Sequence, residues 1–274
     1  NLKLHAKMMM IVRKEEEEVL RYVHLSTGNY NENTAKLYSD ISIFTAEPEI
    51  ANDATLFFNM ISGYSALQTM QKIKIAPINL KSNLISLIER EIQNSSPEKP
   101  GLIIAKMNSL AHPEVIQALY KASCANVKIK LNVRGICMLV PGVKNLSENI
   151  QVTSIIDRYL EHSRICYFQN GGDEEIYLSS ADWMPRNLDR RVEIMFPILN
   201  KSIFTRIKSI LNTYLEDTEN TSILNSDGSW SKILNSQTEK TEKKFSAQKH
   251  FHELAKTIEK SQKENLTGEF VVRR

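Results

Sequence analysis

The sequence predicts an α/β fold in which mixed sheets are flanked by helices, arranged as two similar units of which the first is truncated. Strand-like and helix-like segments alternate along the middle of the chain, as in a sheet covered by helices. A short motif of one histidine and one basic residue occurs twice, which indicates two related units. The first copy begins at His5, with a strand already under way at Leu2, so we expect the first unit to lack its N-terminal part.

The first unit is predicted to span residues 1–72. Runs rich in apolar and β-branched residues predict strands at 2–12 and 19–25, joined through the charged turn Arg13–Glu18. The stretch Ser26–Asn33 is rich in turn-forming residues. Two further segments are predicted to be helical, and they cover Thr34–Tyr38 and Asp53–Tyr64.

The second unit is predicted to span residues 73–217. An apolar stripe predicts a helix over Leu80–Ile92, and Pro113 is a favoured first-turn residue of another. Five segments are predicted to be strands, namely 102–106, 127–133, 165–168, 176–179 and 192–196, and 202–215 is predicted to be a helix. Residues 218–274 are expected to form a polar excursion and a last helix, around 246–260, that packs on the second unit.

Composition limits the class of protein. With 42% hydrophobic and 24% charged residues, the chain has the composition of a globular protein. Its net charge of +3 is too small to indicate nucleic acid or a membrane as a partner. No apolar run reaches membrane-spanning length, and no signal peptide is apparent. Because Cys124, Cys137 and Cys166 lie in apolar stretches, we expect buried free thiols in a reducing compartment.

The repeated motif carries the chemistry. His5-Ala6-Lys7 is followed by Thr27-Gly28-Asn29, and His162-Ser163-Arg164 is followed by Ser180-Ala181-Asp182. Residues i and i+2 of a strand share a face, so each motif is expected to aim an imidazole and a cation at the same point. Two such motifs facing each other would form a phosphate pocket, with one histidine to attack and one to assist the leaving group. The alternative is two strand histidines that only satisfy local hydrogen bonds.

Basic residues suited to phosphate oxygens cluster in the second unit. Arg134 ends a strand, and Arg164 stands beside His162. Three more arginines follow the second downstream signature: Arg186, Arg190 and Arg191. Lys106 and Asn108 are weaker candidates for the rim of the phosphate site. For each of these arginines the alternative is a surface ion pair.

Several segments together resemble the C-terminal region of bacterial polyphosphate kinases of the first type. They are LHAKMMMIVRKE, RYVHLSTGNYNENTAKLYSD, KMNSL, VRGICMLVPGV, LSENI, IDRYLEHSRICYFQNGG and YLSSADWMPRNLDRRVE. The resemblance runs from the first residues to about Asp217. It implies a phospholipase D-like fold and the activity of an ATP:polyphosphate phosphotransferase. It also implies ATP, ADP and polyphosphate as partners, and not nucleic acid.

The resemblance also implies roles for individual residues. His5 matches the histidine that becomes phosphorylated, and His162 matches a second histidine that assists as general acid and contacts the nucleotide. Tyr38 and Arg134 match nucleotide-binding positions. The remaining predicted phosphate-binding residues are Lys7, Asn29, Arg164 and Arg186. Mg2+ would enter with ATP, and its associated residues are expected upstream, so this chain is predicted to hold no metal ligand. The full-length protein is expected to be a homo-oligomer in the cytoplasm, with the inner-membrane surface as an alternative location.

Two other functions remain open at this level. One is a phosphodiesterase or phosphatidyltransferase of the phospholipase D type. It is disfavoured because the second motif is His-Ser-Arg rather than H-x-K, and because the VRGIC and SADWMPRN segments are present. The other is a binding-only fragment, since the truncation removes upstream residues that turnover would need.

Overall fold

A large mixed β-sheet organises the chain. The computed structural model describes residues 2–64, 68–233 and 244–265. The strands in these ranges are β1 (Lys3–Leu4), β2 (Met8–Glu15), β3 (Glu18–Ser26), β4 (Tyr38–Ser39), β5 (Ser42–Thr45), β6 (Lys74–Ala76), β7 (Leu102–Met107), β8 (Lys128–Val133), β9 (Ile150–Ile155), β10 (Leu160–Glu161), β11 (Ile165–Phe168), β12 (Glu175–Ser179), β13 (Arg191–Pro197), β14 (Thr221–Leu224) and β15 (Trp230–Lys232). The helices are α1 (Glu32–Ala35), α2 (Pro48–Ile61), α3 (Leu80–Asn94), α4 (Pro113–Cys124), α5 (Pro185–Arg190), α6 (Lys201–Leu215) and α7 (Ala247–Asn265).

The large sheet has the strand order β1-β13-β12-β11-β7-β8-β9-β14-β15, with β6 also paired to β13. Its centre is parallel, because β7, β8 and β9 run in the same direction. β11 is antiparallel to both β7 and β12, and β12 is antiparallel to β13. Two smaller sheets, β2-β3-β5 and β10-β4, complete the fold. The mixed α/β architecture predicted from the sequence is confirmed.

Alternation along the central strands places a hydrophobic core on each face of the large sheet. In β7, Ile103 and Ala105 join the core that contains residues of α3 and α4, while Ile104 joins the core that contains residues of α2 and α6. Successive side chains of a strand point to opposite faces, so a strand buried on both faces is apolar along most of its length. The first motif and β1 lie at the β13 end of this sheet, because β1 pairs with β13 in parallel.

The structure contains the two main predicted helices, and the bounds of two others differ from the prediction. The helices predicted over 80–92 and 202–215 correspond to α3 and α6. The helix predicted to begin at Asp53 begins at Pro48, which occupies its first turn. Inside that helix, the Asp53 carboxylate accepts backbone N–H bonds from residues 71–73. The helix predicted over 34–38 is wrong at its end, because α1 ends at Ala35 and Tyr38 lies in β4.

The predicted polar excursion contains two strands that the sequence did not indicate. β14 pairs with β9 and with β15, so this segment extends the large sheet at one edge. Both strands are short and largely polar, and their pairing partner is distant in sequence, so no local pattern marks them. Residues 234–243 of the excursion lie outside the described residues. In the described ranges, no helix combines the length and the apolar content needed to cross a membrane.

The cysteine prediction is partly wrong. All three cysteines are free thiols, but only Cys166 is buried. Cys137 is half-buried, and Cys124 is exposed because it lies at the last position of α4 with its sulfur toward the carbonyls of residues 145 and 146. Burial raises the pKa of the Cys166 thiol to about 12, so that thiol is unreactive at neutral pH.

Candidate active site

Both histidine motifs lie in breaks between strands, not within strands as predicted. Residues 5–7 separate β1 from β2, and residues 162–164 separate β10 from β11. Each break is held by a carbonyl of a distant segment. The backbone N–H groups of His5 and Ala6 both donate to the Val192 carbonyl at 2.9 Å, and the His162 N–H donates to the Ser39 carbonyl at 3.2 Å. Each of these carbonyls belongs to the residue immediately before an acid, so the backbone bonds bring each histidine to a carboxylate.

His5 is paired with Glu193. The Glu193 carboxylate oxygens lie 2.8 and 3.0 Å from His5 Nδ1. Glu193 is fully buried, and it also accepts hydrogen bonds from the Ser180 hydroxyl at 2.5 Å and from the Asn187 amide at 2.6 Å. A carboxylate held in this way fixes the imidazole with its proton on Nδ1. The other nitrogen, Nε2, then carries the free lone pair, and the His5 side chain is 21% exposed.

His162 is paired with Asp40 in the same manner. The Asp40 carboxylate oxygens lie 2.8 and 3.0 Å from His162 Nδ1. Burial, and the nearby Arg164 guanidinium, lower the pKa of His162, while Asp40 opposes this shift. Burial alone would raise the pKa of Asp40, but its hydrogen bond with His162 lowers it overall. The arrangement therefore favours a neutral imidazole beside an ionised carboxylate. Tyr38 packs against this imidazole, with ring centroids 4.8 Å apart.

The downstream signatures support these two acids. The Thr27 hydroxyl donates to Asp40 at 2.8 Å, and the Ser180 hydroxyl donates to Glu193 at 2.5 Å. Each hydroxyl also accepts the backbone N–H of the residue after its acid, in both cases at 3.1 Å. The two units therefore repeat the same local hydrogen-bond pattern, as the repeated motif predicts.

Each acid pairs with the histidine of the other unit. Asp40 follows the first motif in sequence but pairs with the second histidine, and Glu193 follows the second motif but pairs with the first histidine. Sequence reasoning missed both residues. A signal was present, because each acid follows its hydroxyl residue by 13 positions. The repeat could have revealed this spacing, but local patterns could not show that the pairs cross.

Arg164 is anchored by Asp182. Its guanidinium makes two hydrogen bonds to the Asp182 carboxylate, at 3.2 and 3.1 Å. Asp182 also accepts the backbone N–H groups of Asn108 and Ser109. Burial alone would raise the pKa of Asp182, but Arg164 and these N–H groups lower it. Arg164 Nη1 donates to the Thr27 carbonyl at 3.2 Å and lies 3.0 Å from His162 Nε2, so it joins the two units at the second histidine.

Lys7 is buried between the two histidine–acid pairs. Only 4% of it is exposed, and its ammonium donates to the His5 carbonyl at 2.5 Å. Burial lowers its pKa to about 8, while Glu193 and Asp40 oppose that shift and Arg164 adds to it. The charges that act on Lys7 thus come from both pairs, which indicates that the two motifs face a common space.

The other predicted residues take different positions. Arg134 is half-buried, and its Nε and Nη2 donate to the Asn108 side chain at 3.3 and 3.1 Å, next to Asp182. Asn29 and Arg186 are exposed. Lys106 is not on a phosphate-facing rim, because it is fully buried and forms an ion pair with Glu161 at 2.9 Å.

The described residues offer no ready metal site. Among residues 2–64, 68–233 and 244–265, no three His, Cys, Asp or Glu side chains are placed together so as to hold a metal ion. The two carboxylates nearest the histidines are each occupied by an imidazole and a hydroxyl. Hard cations such as Mg2+ need several free oxygen ligands, so we derive no step through a metal held by these residues.

Comparisons with known proteins show the family of this chain. Residues 1–67 match the family model "Polyphosphate kinase C-terminal domain 1", and residues 73–248 match "Polyphosphate kinase C-terminal domain 2". The chain belongs to the polyphosphate kinase family. The polyphosphate kinase of Pseudomonas aeruginosa is 51% identical over 231 residues, which are 84% of this chain and 34% of that protein. That of Rhodopirellula baltica is 50% identical over 232 residues, which are 85% of this chain and 27% of that protein.

Solved structures support the fold of this polyphosphate kinase region. The crystal structure of polyphosphate kinase from Porphyromonas gingivalis superposes with a TM-score of 0.86 at 39% identity, over 95% of this chain and 40% of that one. Phosphatidylserine synthase from Haemophilus influenzae shares the fold alone, with a TM-score of 0.52 at 11% identity over 94% of this chain and 70% of that one. The predicted phospholipase D-like fold is thereby confirmed. The chain spans about a third of the length of the kinases that it matches.

Proposed function

We propose that the protein containing this chain transfers the terminal phosphate of ATP to polyphosphate, reversibly, through a phosphohistidine at His5. The observation that carries this proposal is the pairing of His5 Nδ1 with the buried Glu193. It leaves Nε2 as the unprotonated nitrogen on a partly exposed ring, which is the nucleophile that phosphoryl transfer needs. The names of the relatives, all polyphosphate kinases, supply the substrate class.

Transfer would proceed in two steps. His5 Nε2 attacks the terminal phosphorus of ATP, the bond from that phosphorus to the bridging oxygen breaks, and ADP leaves. A terminal oxygen of polyphosphate then attacks the phosphorus, the N–P bond breaks, and the chain is longer by one phosphate. Mg2+ would enter as the complex with ATP.

His162 would assist the oxygen that leaves or attacks. Asp40 holds its Nδ1, so a proton exchanged with the substrate would pass through Nε2, and Arg164 Nη1, which lies 3.0 Å from Nε2, would turn to the phosphate oxygens. Lys7 and Arg164 would stabilise negative charge on the transferring group, because phosphoryl transfer depends mainly on positioning and on charge stabilisation. Arg134 would contact the nucleotide, and Tyr38, packed on His162, would line the same region. Asn29 and Arg186 would bind phosphates at the rim. The limits of the two units at residues 72 and 73, the oligomeric state and the cytoplasmic location remain predictions.

Labelling of the full-length protein tests this function. After incubation with γ-labelled ATP and magnesium, we expect a label on the protein that is labile in acid and stable in base. His5→Ala should abolish both the label and polymer synthesis, a loss of at least ~10³-fold expected for a covalent nucleophile. The matched control is His252→Ala, on an exposed position of α7, which should label normally.

Two outcomes would contradict the proposal. An unchanged label in the His5→Ala protein would remove His5 as the carrier. Release of inorganic phosphate or cleavage of a phosphodiester, without transfer to polyphosphate, would favour the phosphodiesterase alternative, because both functions can use a phosphohistidine.

A further inference from the structure

A buried polar network lies directly behind His162. Glu161 and Ser163 flank this histidine in sequence, and Lys106 contacts both of them: its ammonium lies 2.9 Å from the Glu161 carboxylate and donates to the Ser163 hydroxyl at 3.0 Å. Lys106 and Glu161 are each 1% exposed. The Tyr214 ring covers the ammonium at 4.5 Å. Lys106 therefore holds the residues on both sides of His162 in sequence.

The same network reaches the acid that pairs with His162. The Ser39 hydroxyl donates to Glu161 at 2.9 Å, and Ser39 is the residue immediately before Asp40. β4 and β10 pair in parallel, with Ser39 opposite Glu161. The bond between Glu161 and Ser39 thus joins the residue before His162 to the residue before Asp40, although these two segments come from different units.

The C-terminal helix completes this network. Gln248, in the first turn of α7, donates to the Glu161 carboxylate at 2.7 Å. Its amide also makes two bonds of 2.9 Å to the Tyr159 backbone, accepting the N–H and donating to the carbonyl. A neighbouring strand would bond the N–H and the carbonyl of one residue in this way. The Gln248 amide thus takes the place of a strand partner for Tyr159, just before β10. The helix start is itself fixed, because the backbone N–H of Ala247 donates to the buried Asp217 at 2.8 Å.

We propose that Gln248 is a positioning residue for His162, and that the C-terminal helix is in this way part of the phosphotransfer site. The inference rests on the proposed function for the role of His162, but the contacts do not depend on it. Loss of the Gln248 amide frees the Tyr159 backbone and one oxygen of Glu161. The segment from Tyr159 to His162 then loses its outer support, and the imidazole moves relative to Asp40 and to the substrate. Catalysis is sensitive to such displacements, since a shift of about 1 Å can cost ~100-fold in rate.

The test compares two neighbouring substitutions in the full-length protein. Gln248→Met keeps the length of the side chain and removes all three hydrogen bonds. Lys249→Ala is the matched control, because Lys249 lies on the same turn and its ion pair with Glu219 is exposed and does not contact residues 159–161. We expect Gln248→Met to lower kcat about 10-fold with little change in the KM for polyphosphate, and Lys249→Ala to stay within about twofold of wild type.

A second readout separates positioning from general stability. Titration of His162, followed by NMR of selectively labelled histidine, should show a changed pKa in Gln248→Met, because a looser segment alters both the burial of the imidazole and its bond to Asp40. A second variant, Gln248→Glu, places a carboxylate beside Glu161. The two acids must share a proton, so kcat in that variant should begin to fall at a lower pH than kcat of the wild-type protein.

The outcomes distinguish this inference from the proposed function. A wild-type kcat and an unmoved His162 titration in Gln248→Met would overturn the positioning role even if His5 carries the label. Equal losses in Gln248→Met and Lys249→Ala, with an unmoved titration in both, would also overturn it. A shifted titration in Gln248→Met alone, in a protein that does not label on His5, would support the positioning role and contradict the proposed function.

Discussion

The two halves of the site use the same hydrogen-bond pattern but balance their charge differently. We call His5, Lys7, Asn29 and Glu193 the first half-site, and His162, Arg164, Asp182 and Asp40 the second half-site. In the second, Arg164 is neutralised by a two-bond ion pair with Asp182. In the first, the position equivalent to Asp182 is the neutral, exposed Asn29, and among the described residues no carboxylate lies within ion-pair distance of Lys7.

This difference in charge balance suggests different functions for the two half-sites. A buried cation without a carboxylate partner is costly, and an anionic ligand removes that cost. The first half-site therefore favours a phosphoryl group next to Lys7, beside the imidazole whose Nδ1 is held by Glu193. The second half-site is already neutral and tightly bonded, which suits a fixed proton donor or acceptor. The comparison agrees with the proposal that His5 is the carrier and His162 the assistant.

The largest expected effect comes from the crossed acids. Glu193→Gln and Asp40→Asn each replace the carboxylate that fixes a histidine tautomer, so each should lower kcat by ~10²–10⁴-fold. Glu193→Gln should slow the formation of the His5 label by this whole factor, whereas Asp40→Asn should slow it less, because His5 keeps its carboxylate partner there and only the assistance to the leaving oxygen is impaired. Single-turnover labelling with γ-labelled ATP measures this. Equal labelling defects in the two variants would break the division of roles between the half-sites.

The difference in charge balance between the half-sites can be tested by substitutions at the two equivalent positions, Asp182 and Asn29. Asp182→Asn leaves the buried Arg164 without its partner and should lower the free energy of unfolding by about 3–5 kcal/mol. Asn29 is exposed, so Asn29→Asp should change stability by less than about 0.5 kcal/mol, but the added negative charge should weaken polyphosphate binding. Urea denaturation and a polyphosphate titration measure the two effects. Tighter polyphosphate binding in Asn29→Asp would contradict the role given to Lys7.

The pKa of Lys7, lowered to about 8, predicts opposite effects of pH on activity and stability. Phosphate binding needs the charged form of Lys7, so activity should fall as pH rises above about 8. Lys7→Arg should move this fall in activity to higher pH, because arginine stays charged. Between the folded value near 8 and the unfolded value of 10.5 the unfolded chain binds more protons, so stability should rise with pH in that window.

Lys7→Met removes the buried charge and provides the control. It should gain up to about 3 kcal/mol of stability at neutral pH while losing phosphate affinity. Denaturant melts at several pH values check this. A stability of the wild-type protein that falls between pH 8 and 10.5 would show that Lys7 is not the group responsible.

The smallest effects are expected at the arginines outside the two half-sites. Arg134 is half-buried and held by Asn108, so Arg134→Ala should weaken ATP binding by about 1.5–3 kcal/mol, the usual size of a charge-assisted hydrogen bond. Arg186 is exposed, so Arg186→Ala should cost less than about 1 kcal/mol, and that loss should vanish at high salt. Calorimetric titration of ATP into both variants decides whether Arg134 belongs to the site.

The sequence by itself determined the two-unit α/β architecture and the two histidine–cation pairs. Regular periodicity marked α3 and α6, because an amphipathic helix repeats its apolar positions locally. The repeated motif marked His5 and His162, since both the histidine and its hydroxyl signature recur. Short elements were missed: β4 has two residues, and β14 is held by its pairing with the distant β9 rather than by any pattern of its own.

Only the tertiary structure decided which acid serves which histidine. Glu193 lies 188 residues from His5, and Asp40 lies 122 residues from His162, so no local spacing could assign these pairs. The same holds for Lys106, whose position at the end of a predicted strand suggested a weaker candidate for the rim of the phosphate site. A charged side chain in the core is tolerated only when it is paired, and the partner of Lys106, Glu161, is brought to it by the folding of the sheet. Local motifs in the sequence identify the histidines and cations of the site. The pairing of each histidine with its acid, and the burial of charged side chains, depend on contacts that form only when distant strands meet.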